Sequence, residues 1–167
     1  MISGCVVGPF AIDTGAGGQT INTNFPVLDL AGYSQIRGTL SLTKALTEAD
    51  DTLDVYLQSL AEDKITWNDR AHFGQITGAD SPTATAPEVR FVNVQACVAL
   101  EATEEAYEAT GSLGGSRLPA GSVRNGPFPD KLYQGGLWIP NWRVQIVVVD
   151  PTGANADFEG SVWFSLS

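Results

Sequence analysis

The sequence has little of what most catalytic chemistry uses. There is one histidine, His72, and there are two cysteines, Cys5 and Cys97, in 167 residues. Two cysteines are too few for a disulfide scaffold or for a zinc site of the usual kind. Spacing alone does not establish bridge geometry, so two free thiols are the simpler reading. A nucleophilic cysteine would have only His72 as its base, and Cys97 sits in an apolar run that suits a buried structural thiol. His72 lies next to Phe73 in an extended stretch and reads as a strand histidine bonded to a neighbour or to water. The Gly-x-Ser-x-Gly elbow, the phosphate-binding loop and the dinucleotide glycine pattern are all missing. Gly15-Ala16-Gly17-Gly18 is not followed by a helical pattern and reads as a turn. No catalytic residue and no cofactor is therefore expected.

Positive charge is also scarce. Nine Lys and Arg stand against 19 Asp and Glu, a net charge of −10. Phosphate backbones are gripped by cations that displace counterions, so direct nucleic-acid binding is not expected. Attraction to an anionic membrane leaflet is not expected either. No window is long and apolar enough to span a bilayer as a helix. Residues 1–7 lack the basic and apolar regions of a signal peptide, and no apolar segment precedes Ile2-Ser3-Gly4-Cys5, which would otherwise resemble a lipoprotein cleavage box. Two acidic clusters, Glu48/Asp50/Asp51 and Asp150/Asn155/Asp157/Glu159, invite a calcium reading. Neither has EF-hand spacing, acidic turns are common, and no metal is assigned.

Apolar residues make up 43% of the chain, with 18 glycines, enough for a two-layer core joined by many turns. Period-two alternation recurs. Residues 33–43 place Ile36, Leu40 and Leu42 on one face. Residues 52–59 set Leu53, Val55 and Leu57 against Asp54, Tyr56 and Gln58. Residues 89–100 keep Val92, Val94, Ala96, Val98 and Leu100 in step, and 142–149 and 160–166 form the last two strands around a turn at 150–155. Shorter extended pieces fall at 19–22, 27–30 and 72–77, with a polar excursion at 61–68. Residues 101–109 are the one helix-like stretch, open between a helical turn, a continued strand and a mobile excursion. The pattern predicts an all-β fold, an antiparallel β-sandwich or jelly roll in residues 27–167, with an extended N-terminal arm at 1–26. Residues 101–140 read as an insertion with long loops. Trp138 and Trp142 flank Ile139-Pro140-Asn141, with Phe128 and Tyr133 just upstream. Such rings close a core end, anchor a protein interface or stack on sugars. With Phe10, Ile12 and Phe25 of the arm, they are the candidate protein contacts.

Residues 52–59 (Thr-Leu-Asp-Val-Tyr-Leu-Gln-Ser), 61–63 (Ala-Glu-Asp), 66–69 (Thr-Trp-Asn-Asp) and 72–78 (His-Phe-Gly-Gln-Ile-Thr-Gly) carry a resemblance. With 28–33 upstream, and 142–144 and 160–166 downstream, they are similar to small β-sandwich virion proteins of tailed bacteriophages. The likeness covers residues 27–78 and 89–167, with 101–140 departing from it. It implies a capsid decoration (cement) protein on the outer capsid surface, made in the host cytoplasm, or a relative in a head fibre or tail. The implied partners are the major capsid protein and the chain itself, most simply as a trimer. The alternative is a tail or head-fibre domain that binds host-surface glycans through Tyr133, Trp138 and Trp142.

Overall fold

Alternating strands bury one side each, and two sheets close on each other to cover those sides. The structure is a computed structural model and describes residues 2–14, 18–24, 34–46, 48–60, 65–80, 82–83, 85–95, 117–124, 132–134, 137–139, 142–152 and 156–167. Its strands are β1 (Ile2–Thr14), β2 (Gln19–Asn24), β3 (Gln35–Leu46), β4 (Thr52–Leu60), β5 (Trp67–His72), β6 (Ile76–Thr77), β7 (Glu88–Gln95), β8 (Leu132–Gln134), β9 (Leu137–Ile139), β10 (Trp142–Val149) and β11 (Ala156–Leu166). A 3-10 turn, Gly78–Asp80, follows β6.

The strand order resolves the choice between a plain sandwich and a jelly roll. One sheet runs β1-β11-β3-β7 and the other β2-β10-β4-β5, with β6 added to β4; the pairings are antiparallel. Set aside β6 and the separate β8-β9 hairpin, and the remaining strands pair first with last, second with seventh, third with sixth and fourth with fifth. That concentric pairing is a rolled-up antiparallel ribbon, the jelly roll.

The core lies between the sheets. Ile36, Leu40 and Leu42 of β3 and Phe158, Val162 and Phe164 of β11 face Leu53, Val55 and Leu57 of β4 and Val144, Ile146 and Val148 of β10. Each fully buried side chain of this size contributes about 1.5–3 kcal/mol. Phe73 and Phe164 meet edge to face at 6.4 Å. Two glycines permit this closeness. A Cβ on Gly38 would stand 2.8 Å from Phe164, Phe73 and Val92, and one on Gly160 would stand 2.6 Å from the backbone oxygen of Ser41, beside the β-bulge at Glu159/Gly160.

The N-terminal residues differ from the expected arm. Residues 2–14 form an edge strand that runs along β11, and 19–24 form an edge strand that runs along β10, one in each sheet. Phe10 and Ile12 are buried in the core, Ile12 at 1% exposure. The extended piece expected at 19–22 is this second strand, whereas glycines and polar residues hid the first, because an edge strand needs only a few apolar positions on its inner side. The extended piece expected at 72–77 is divided: Trp67–His72 and Ile76–Thr77 are strands, and 73–75 between them are not. The pieces at 27–30 and 101–109 and most of the 101–140 insertion lie outside the described residues, as does Cys97.

Candidate functional site

The two outer faces of the roll are unlike each other. On the β2-β10-β4-β5 sheet the outward residues of β4 are buried: Arg117 and Leu118 reach over this face, and residues 122–124 run along the edge of β5 away from β4. Ala71 and Val123 form an antiparallel bridge. The backbone N–H of His72 donates to the carbonyl of Ser122 at 2.9 Å, and that of Arg124 donates to the carbonyl of Arg70 at 2.8 Å.

Polar side chains fasten this cover. His72 Nε2 is 2.8 Å from Asp54 Oδ1, and Nδ1 is 2.7 Å from the carbonyl oxygen of Leu118. A carbonyl only accepts, so Nδ1 carries a proton, and the Nε2 contact with a carboxylate needs another between them. Tyr56 stacks on the ring at 4.1 Å, and the Gln75 amide donates to both oxygens of Asp54. Asp69 takes one hydrogen bond from Gln58 at 2.6 Å and another from the backbone N–H of Leu118 at 3.2 Å. Arg117 lies over the Tyr56 ring at 3.7 Å and reaches Asp69 and Gln145. Arg143 donates to Gln58 and lies over Trp67 at 4.4 Å. Burial raises the Tyr56 phenol above its ordinary value, opposed in part by the Arg117 hydrogen bond. Burial also lowers the Arg143 guanidinium, helped by the charge of Arg117.

An Asp–His contact in a fold of this size invites comparison with a catalytic dyad. Here both ring nitrogens are engaged, so neither is left to take a proton from a nucleophile. The arrangement holds a segment of chain in place. The sequence singled out His72 as a strand residue with a polar neighbour, which is its position. It offered no sign that residues 117–124 would supply the second partner, since that contact spans 46 residues.

The outer face of the β1-β11-β3-β7 sheet has no described cover. Phe91 of β7 is 72% exposed and Trp163 of β11 is 49% exposed, and both are paired in register with Thr39 of β3. The Trp163 indole N–H donates to Ser161 Oγ at 2.9 Å, which lays the ring along its own strand. A shallow depression beside Phe91 is lined by Arg37, Thr39, Asn93 and Ser165. Neither aromatic was singled out from the sequence, although each stands at an outward position of a clearly alternating strand.

The sequence-derived contact residues fall into three groups. Phe10, Ile12 and Trp142 are core residues, Trp142 at 3% exposure, and so are not available as surface contacts of this fold. Tyr133 and Trp138 are paired across the β8-β9 hairpin, with their side chains outside the description. Phe25 and Phe128 lie outside the described residues. The two acidic turns are brought together, with Thr152 donating to Glu48 and standing 3.5 Å from Asp150. Among the described residues no group of three or more His, Cys, Asp or Glu side chains is placed to hold a metal ion.

The sequence matches no protein-family model and no curated protein. Among solved structures, the chain is similar to the cryo-EM structure of Broad Bean Stain Virus, with a TM-score of 0.41 and 11% identity. The alignment covers 95% of this chain and 87% of that one.

Proposed function

We propose that this chain is a structural protein of a virus particle, a decoration protein that sits on the mature capsid of a tailed phage. It binds across adjoining major capsid protein subunits and associates with itself, most simply as a trimer at local three-fold positions. The observation that carries the reading is the concentric eight-strand pairing, an architecture recurrent in viral coat domains and lectins. A fold does not set a task by itself. Added support comes from the phage-like stretch at 52–78 and from a histidine fully engaged in holding its own chain. The function is binding, without catalysis. A protein that binds only the mature lattice stabilises it by mass action, in proportion to its affinity and free concentration. A net charge of −10 keeps many copies on one particle from associating non-specifically. With Phe10, Ile12 and Trp142 in the core, the contacts to the shell fall to other surfaces, with Phe25, Phe128, Tyr133 and Trp138 as the candidates from the sequence.

Quantitative mass spectrometry of purified particles tests this. The chain should be present in a fixed ratio to the shell protein. Purified protein added to shells that lack it should bind mature shells, not precursors, and raise their disruption temperature. Presence in only a few copies per particle, or equal binding to precursor and mature shells, would sink the reading.

A further inference from the structure

The outer face of the β1-β11-β3-β7 sheet has a chemistry that does not match the rest of the molecule. In a chain of net charge −10, the outward positions of β3, β7 and β11 around Thr39 hold no acid. Arg37 is their one cation, and it donates to Gln35 at 3.3 Å. The acids Asp157 and Glu159 stand at the far end of β11, where both pair with Lys44. Hydroxyls and amides occupy most of the remaining positions, with two exposed rings among them.

The rings are spaced by the sheet. Trp163 and Phe91 flank Thr39 on neighbouring strands, so their Cα atoms are about two strand spacings apart, roughly 10 Å. The hydrogen bond to Ser161 fixes the indole plane along β11 without covering it. Thr39 lies between the rings, and the depression lined by Thr39, Asn93, Arg37 and Ser165 opens beside Phe91, on the next cross-strand row. Flat apolar surfaces separated by short donors and acceptors complement a ligand with apolar ring faces and hydroxyl edges. A protein partner would favour a contiguous apolar centre, and here polar positions divide the two rings.

We infer that this face binds a neutral oligosaccharide, with Trp163 and Phe91 stacking on sugar rings and Asn93, Arg37 and Ser165 taking hydroxyls. The lack of acids removes the repulsion that the rest of the surface applies to anions, but the net charge still disfavours anionic glycans. The inference goes beyond the placement of the protein on a capsid and does not depend on it. It also moves glycan recognition away from Tyr133, Trp138 and Trp142, where the sequence located it.

The test is 1H–15N correlation spectroscopy of the full chain, with the Trp163 indole resonance assigned through Trp163→Phe. The titrants are cellohexaose, maltohexaose, mannohexaose and a neutral galactan oligosaccharide, with a heparin hexasaccharide as the anionic control. At least one neutral saccharide should shift the Trp163 indole and the Phe91 and Asn93 amides saturably, while heparin leaves them unmoved. Trp163→Ala and Phe91→Ala should each weaken that binding about tenfold, and Trp163→Tyr should keep most of it. Both rings are exposed, so unchanged thermal midpoints will show that the variants remain folded. Three results would overturn the inference: no neutral saccharide shifting these resonances, binding indifferent to both alanine variants, or the same variants abolishing self-association or shell binding while every sugar stays silent.

Discussion

Ile12→Ala tests whether the N-terminus is an integral strand or an arm. Ile12 is 1% exposed, sits opposite Phe158 in the β1–β11 ladder and belongs to the central core. The substitution removes three buried carbons, about 2.4 kcal/mol of transfer free energy at 0.8 kcal/mol each. The cavity left behind adds to this, so a loss of about 3–4 kcal/mol is expected, within the range for large-to-alanine changes in cores. For a domain of this size that lowers the thermal midpoint by roughly 6–16 °C. Ala11 on the same strand is exposed, and Ala11→Ser should change stability by less than about 0.5 kcal/mol. The assay is urea unfolding of both variants at several protein concentrations, with unchanged m-values taken as the sign of a simple stability change. If Ile12→Ala leaves the midpoint of the free protein where it was, residues 2–14 do not pack on β11 in solution, and the reasoning fails. A loss seen only at concentrations where the protein oligomerises would fail it too, since the strand would then be docking on a neighbour.

Further expectations concern the cover, the core glycine and alkaline pH. His72→Ala leaves the buried Asp54 carboxylate and the Leu118 carbonyl short of a donor, at a cost of about 2–4 kcal/mol. Hydrogen exchange should then quicken at the Leu118 and Arg124 amides well before it does in β3, and uniform quickening would mean that the cover is not a separate unit. Gly38→Ala should destabilise by about 1–3 kcal/mol, because its Cβ would stand 2.8 Å from three core side chains. Gly121→Ala meets no atom within 4 Å, so only its φ of +77° should cost, about 1 kcal/mol. A cost below about 1 kcal/mol at Gly38 would count against the packing described around it. Tyr56 and Lys44 both hold their protons more tightly when folded, the first through burial and the second through its hydrogen bond to Asp157. Their stabilisation is therefore complete below the ordinary values of 10.0 and 10.5 and declines as pH rises past them. Urea midpoints should fall in that alkaline range, and Tyr56→Phe should flatten part of the fall.

The long central strands were legible because burial on one side imposes a two-residue period, and that period is a local property of the chain. Leu53, Val55 and Leu57, or Val144, Ile146 and Val148, point inward whatever they meet, so the all-β class and the core of β3, β4, β10 and β11 follow from the residues alone. Edge strands carry a weaker signal. Around β1 the glycines and polar residues suggest a free arm, and only pairing with β11 makes Phe10 and Ile12 core residues. The choice of jelly roll over plain sandwich also belongs to the tertiary structure, since strand order is a set of long-range pairings that alternation does not encode. The same holds for the contact surfaces. Trp142 looked like an anchor from its neighbours in sequence but lies in the core, because its strand turns that parity inward. Trp163 and Phe91 carry no joint signal in the sequence, where they stand 72 positions apart, and they become a surface only when β3 is laid between them. His72 shows both sides of this division: its strand was readable from its neighbours, while its partners, Asp54 and the Leu118 carbonyl, were supplied by a fold that brings three distant segments to one ring.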